Sequence, residues 1–228
     1  MIEWLTAPID PGRAHEVGAL VSWHGRLMTL AWGALFPLGV LAARFWKIAP
    51  GQDWPRELDN QAWWRAHLVL QYAGGAAMLA GLGAILLRGG AGDAAHAYLG
   101  WTVIGFAALQ FAAGWLRGSK GGPTDATPQG DHFDMTRRRL AFEHFHKFAG
   151  YALLALAASG VLSGLWLANG PVWMWGALAA WWTLLIALFR RWQRRGMAVD
   201  TYQAIWGPDP SLPGNRRRPI GWGVRRPG

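Results

Sequence analysis

From Leu27 to Phe45 the chain offers only Thr29, the indole of Trp32 and the closing Arg44 as side chains able to hydrogen-bond. A run this long and this apolar is long enough to cross a bilayer, and in lipid a single segment satisfies its backbone only as a helix. The stretch Ser22–Lys47 therefore reads as a membrane helix. It carries His24 near one end and Arg44 near the other. At about 1.5 Å per residue these lie about 30 Å apart, close to the hydrocarbon thickness.

Composition extends the inference to the whole chain. Of 228 residues, 52% are hydrophobic and 15% charged, more apolar and less charged than soluble domains usually are. Many of the 17 tryptophans stand near the ends of apolar runs, where indoles anchor at the interface. Further spans are expected at about 62–87, 95–116, 140–167 and 173–189, separated by Gly-, Pro- and charge-rich connectors. Residues 1–21 read as an interfacial segment without a cleavable signal, 22–190 as the transmembrane domain, and 191–228 as a basic tail, extended or disordered. Pro37 removes one backbone hydrogen bond inside the first span and is expected to bend it.

The net charge of +9 reflects basic residues gathered in connectors and tail, so it points to membrane orientation rather than nucleic acid. One face of a five-span chain receives Arg44, Lys47, Arg56, Arg65, Arg117, Lys120, Arg137–Arg139 and the tail arginines. The other receives Arg13 and Arg88, with Arg26 inside the first span. This asymmetry predicts an outside N-terminus and a cytoplasmic C-terminus in a bacterial-type inner or plasma membrane.

The histidines carry the chemistry. His15 and His132 fall in polar segments, whereas His24, His67, His96, His144 and His146 lie in or at the ends of spans, where ionisable groups are costly and usually functional. With alternating helix direction, His24 and His96 share the outer level; His67 shares the inner level with His144 and His146. Two histidines above and two below suit two stacked metal centres, each iron of a haem clamped by imidazoles from different helices. The absence of cysteine excludes iron–sulfur clusters and thioether-linked haem, and argues against a structural zinc site. His144 and His146 lie about 200° apart around their helix, so only one can face a haem, and helical geometry alone leaves both open.

Four motifs then occur in order. They are His24-Gly25, Leu27, Trp32-Gly33, Pro37, Gly39 and Arg44; Trp63 with His67, Gln71 and Gly74; His96, Gly100, Leu109-Gln110 and Arg117; and His146, Gly150 and Tyr151. Across about residues 22–190 they resemble the cytochrome b561 superfamily, particularly the membrane portion of proteins that carry this domain beside a DOMON module. The resemblance implies two b-type haems, with His24/His96 as the outer axial pair and His67/His146 as the inner one, and it places Arg44 and Gln71 among the cofactor-binding residues. It differs in the count of five spans where the family commonly has six, in having no attached DOMON module, and in His144, which the motif does not demand.

The expectation is an all-α integral membrane protein, a five-span helical bundle with two stacked haems held by four helices. It acts as a trans-membrane oxidoreductase, because an iron with both axial sites filled by imidazole transfers electrons rather than binding substrate. Its partners are the lipid bilayer, a cytoplasmic-side donor (ascorbate-like or a quinol) and an outer acceptor (ferric iron or monodehydroascorbate-like), with a homodimer possible. Arg26, Lys47, Arg65 and Lys147 are further candidates to meet propionates or an anionic substrate. Two other classes compete: a haem-bearing anchor linking a dehydrogenase to the quinone pool, and a haem-free, histidine-dependent proton or ion transporter.

Overall fold

The computed structural model describes residues 3–90, 95–117 and 136–227. His132 and most of the connector before the fourth span lie outside them. The elements run α1 (Glu3–Thr6), α2 (Ala19–Met28), a π-helical stretch (Thr29–Leu35), α3 (Phe36–Phe45), α4 (Ala62–Leu87), α5 (Ala95–Trp115), α6 (Arg137–Leu167), α7 (Val172–Arg194) and α8 (Thr201–Trp206). Among the described residues β-structure is limited to two isolated bridges. Five helices are long and apolar enough to cross a membrane: Ala19–Phe45, α4, α5, α6 and α7. The fold class is all-α and integral to the membrane, and the expected span borders hold to within five residues. The first span is the most enclosed by protein, 39% of its apolar window against 6% for α7.

The described chain divides into two compact units. The first comprises 1–39, 68–104 and 154–189; the second comprises 40–67, 105–153 and 190–228.

In the first unit the accommodation of Pro37 is visible. Proline has no N–H to return to the carbonyl of Gly33, four residues earlier, and an orphaned carbonyl in an apolar setting is costly. Just upstream, Thr29–Leu35 take π-helical geometry, and the Gly33 carbonyl accepts hydrogen bonds from the indoles of Trp181 (2.8 Å) and Trp182 (3.3 Å). Glycines bring helices together nearby: a Cβ on Gly74 would meet the Phe36 ring at 2.9 Å, and one on Gly81 would meet Leu27 at 3.2 Å. The N-terminal segment is tied to the turn between α6 and α7. The Asn169 side chain, 1% exposed, accepts from Asp10 N–H and donates to the carbonyls of Asp10 and Arg13.

In the second unit the tail departs from the expected extended or disordered state. Its short helix α8 is buried from Thr201 to Ile205, and Tyr202 and Ile220 form a small core joined by Leu140, Trp206 and Leu212. Val199 and Arg225 form a parallel bridge, closed by Asp200 N–H donating to Arg225 O (2.8 Å) and Arg225 N–H to Ala198 O (2.9 Å). Its prolines and arginines give no periodic apolar pattern, so the order arises from long-range contacts that composition does not report.

Candidate haem-type histidine sites

The first unit brings His24 of α2 and His96 of α5 together, their ring centres 6.3 Å apart and their planes at 88°. Each ring is oriented through Nδ1. His24 Nδ1 lies 2.9 Å from Gly81 O, and a carbonyl only accepts, so Nδ1 carries the proton. His96 Nδ1 lies 2.8 Å from Ser163 Oγ, whose hydroxyl donates onward to Gly160 O at 3.0 Å. Nδ1 of His96 is again the donor. Both rings are thereby left with Nε2 as the lone-pair nitrogen, the arrangement by which outer partners prepare a histidine for a metal. Gly164 makes room for this: a Cβ there would stand 3.0 Å from His96 Cε1.

The second unit repeats the spacing. His67 of α4 and His146 of α6 have ring centres 6.3 Å apart and planes at 84°. Phe142 stacks on His146 at 5.0 Å, and Trp64 lies 5.9 Å from His67. His146 Nδ1 is buried without a hydrogen-bond partner among the described residues. His144 is exposed and stacks on Phe148, away from this pair. Two metal–imidazole bonds of about 2.0–2.1 Å, each continued by about 1.1 Å to the ring centre, span about 6.3 Å. Both pairs have that separation.

The remaining expected site residues divide. Arg44, 6% exposed, donates to Tyr151 Oη (2.9 Å), Gln193 Oε1 (2.8 Å) and the Trp222 carbonyl. Lys47, equally buried, donates to Val199 O (3.1 Å) and Arg44 O (3.4 Å). Lys147 donates to Ile220 O (3.0 Å) and pairs with Glu143 (2.5 Å), which also holds Arg139 (2.7 Å). Burial, with Lys147 nearby, pushes the Lys47 ammonium down to about 7. Arg65 is exposed, and Arg26 is exposed with its guanidinium 5.4 Å from the Trp23 ring. Gln71 lies in the first unit, donating to Phe36 O (3.3 Å) over Gly39. His15, expected to be solvated, is exposed and bonds Ala168 O at 2.7 Å.

Sequence reasoning passed over Glu143, Asp200, Gln193 and the segment Ile220–Gly223, all of which surround the buried cations. The i,i+4 spacing of Arg139, Glu143 and Lys147 was the available signal for the first. Gln110 belongs to the third motif. Both its polar atoms are buried without hydrogen-bond partners among the described residues, and its amide nitrogen lies 3.9 Å from where a Cβ on Gly150 would stand.

Comparison with known proteins agrees with the motifs. No family model matches the chain, and no solved structure does. Among curated proteins, a cytochrome b561, DM13 and DOMON domain-containing protein of Arabidopsis thaliana is 30% identical over 144 residues, covering 62% of this chain and 14% of the relative. Two cytochrome b561 and DOMON domain-containing proteins of the same plant are 30% identical over 153 residues (66% of this chain, 29% of the relative) and 27% identical over 146 (62% and 31%). The chain spans less than a third of the length of these relatives. With five apolar spans and the four histidine-bearing motifs in order, the chain is similar to these cytochrome b561 and DOMON domain-containing proteins over about three fifths of its own length.

Proposed function

We propose that the protein is a diheme b-type cytochrome that carries electrons across a membrane. The observation that supports this best is the repeated pair of imidazoles, each on two different helices, with ring centres 6.3 Å apart and planes nearly perpendicular. Among the described residues no cluster of three or more His, Cys, Asp or Glu side chains gathers to hold a bare metal ion. Two facing imidazoles fit a metal that brings its own equatorial donors, as haem iron does. When bound between such a pair of imidazoles, a haem would supply a one-electron couple.

The chain's own residues then have definite tasks. His24 and His96 hold one group, with Gly81 O and Ser163 Oγ keeping each Nδ1 protonated and each Nε2 free to ligate. His67 and His146 hold the other. Arg44 and Gln110 belong to the second unit with that pair. Basic residues in the connectors favour the cytoplasm for the end of the chain that carries Lys47, so electrons enter beside His67/His146 and leave beside His24/His96. The donor is an ascorbate-like or quinol reductant and the acceptor a ferric or monodehydroascorbate-like species.

Pyridine haemochrome quantification of purified protein tests this directly. Two b-type haems per chain are expected, falling to one in each of His24→Ala, His67→Ala, His96→Ala and His146→Ala. Absence of b-type absorbance in the wild type overturns the reading.

A further inference from the structure

Helix α7 ends on Arg190-Arg191-Trp192-Gln193-Arg194, with Arg195 directly after it, and these follow a run from Val172 to Phe189 that carries no charge. At about 1.5 Å per residue that run covers about 27 Å, so the arginines begin at the border of the hydrocarbon. Arg195 N–H still donates to Arg191 O at 3.1 Å, which keeps position 195 in helical register. Successive residues turn by about 100°, which puts Arg190, Arg191, Arg194 and Arg195 inside one arc of about 140°, with Trp192 and Gln193 on the opposite side. That opposite side is the one that meets protein. The Trp192 ring lies 5.6 Å from the Phe45 ring and 6.0 Å from the Trp46 ring, and Gln193 accepts from Arg44 at 2.8 Å and donates to Gly223 O at 2.7 Å. The arginine arc points away from these neighbours, and all four residues are exposed.

The arc has no countercharge of its own. None of the four guanidiniums has a hydrogen bond, ion pair or ring contact among the described residues. There is no Asp or Glu from Val172 to Val199, and the buried Asp200 is given to Arg226 at 3.1 Å. Arg190 with Arg194, and Arg191 with Arg195, are like-charge i,i+4 pairs, which repel until an anion sits between them. The setting says which anion. Protein buries 6% of the apolar window of α7, so lipid lies beside the arc. Helix side chains lean towards the N-terminal end, so Arg194 and Arg195 reach back to the bilayer border rather than out into water. Trp222, 68% exposed and held at this turn through the bond of Gln193 to Gly223 O, stands where indoles anchor at the lipid interface. The anions at that depth are headgroup phosphates, which a guanidinium fork meets with two parallel hydrogen bonds.

We propose that Arg190, Arg191, Arg194 and Arg195 form a site for anionic phospholipids in the leaflet at the C-terminal end of α7, each i,i+4 pair bracketing one headgroup phosphate. Basic clusters at the end of a span attract anionic lipid in this way. A choline headgroup cancels the charge of its own phosphate, so four uncompensated cations select headgroups that keep a net negative charge. The site uses none of the histidines and does not rest on the diheme reading. It ties the tail to the lipid, because the turn that offers the arginines on one side holds Gly223 through Gln193 on the other.

The test titrates the delipidated full chain in detergent with phosphatidylglycerol or with phosphatidylcholine of the same acyl chains, counting bound lipids by native mass spectrometry. Wild type is expected to bind phosphatidylglycerol about tenfold more tightly than phosphatidylcholine, with the preference shrinking as salt is raised. Arg191→Gln/Arg195→Gln should lower the affinity for phosphatidylglycerol about fivefold or more, whereas Arg217→Gln/Arg218→Gln, which removes the same charge from the tail, should leave it within about twofold. Equal affinity of wild type for the two lipids overturns the proposal, and this arm needs no variant to fold. An equal loss in the two double variants overturns it as well, since net charge rather than the arc would then govern binding. So does displacement of phosphatidylglycerol by water-soluble glycerol phosphate at matching concentration, which would make the arc a site for small anions. Haem enters neither arm: a chain without b-type absorbance that still selects phosphatidylglycerol sinks the diheme reading and leaves the lipid site standing.

Discussion

Trp181 gives its indole N–H to the carbonyl of Gly33 at 2.8 Å, the carbonyl that Pro37 leaves without a backbone partner. A break in one helix is thus made good by a side chain of another, and the two lie 148 residues apart in sequence. A Cβ at position 33 would stand 3.7 Å from Trp182 Nε1, an ordinary contact, so the carbonyl and not the missing side chain is what the indoles meet there.

The relationship predicts a coupling. Trp181→Phe should destabilise the detergent-solubilised protein by about 1–2 kcal/mol, since one orphaned carbonyl keeps only the longer bond from Trp182. In a Pro37→Ala background, where residue 37 regains an N–H, the same change should cost less than half as much. Equal costs in the two backgrounds, by thermal unfolding, would remove the compensation argument.

Ser163 prepares His96 by accepting from Nδ1. Ser163→Ala is expected to weaken retention of the His24/His96 haem about tenfold, the low end of what loss of an outer partner does to a metal site, and to leave the His67/His146 haem in place. Haem release to apomyoglobin, resolved for the two centres, measures it.

His144 and His146 should separate cleanly. His144 is exposed beside Phe148, whereas His146 lies opposite His67, so His144→Ala should keep two haems and His146→Ala one. A loss of haem in His144→Ala alone would reverse the assignment.

Lys47 predicts a pH dependence. Its ammonium is pushed down to about 7 from an ordinary 10.5, first by burial and then by Lys147, with Arg44 acting in the same direction and Glu143 and Asp200 opposing. Between those values the unfolded chain binds the additional proton, so stability should rise as pH increases from about 7 towards 10.5 and show no contribution from this group below 7. Lys47→Met should flatten that slope. Limited proteolysis of the C-terminal segment across pH 6.5–9.5, compared in the two proteins, checks it, and an unchanged slope in the variant would reject the assignment.

Much of the candidate site could be read from residue order. Span position sorts His24 with His96 and His67 with the α6 histidines, because helix direction alternates and 1.5 Å per residue converts sequence position into depth. The cation contacts could not be read this way. Arg44 and Trp222 are 178 positions apart, and nothing local to either marks the other. The same holds for Lys147 and Ile220, and for Asn169, whose side chain organises a segment more than 150 residues upstream.

Apolar length, the placement of basic residues and the position of the histidines along their spans were enough to determine a five-span α-helical membrane protein with two histidine pairs, because each of these is a property of one segment in its solvent. The tertiary structure alone decided that α-helical geometry gives way to π-helix ahead of Pro37 and that residues 195–227 fold over Arg44, Lys47 and Lys147, whereas His146, which stands opposite His67, is the histidine the motif resemblance already favours over His144. Those outcomes depend on which carbonyl, ring or cation meets which across the fold, and such pairings are settled by packing between distant segments.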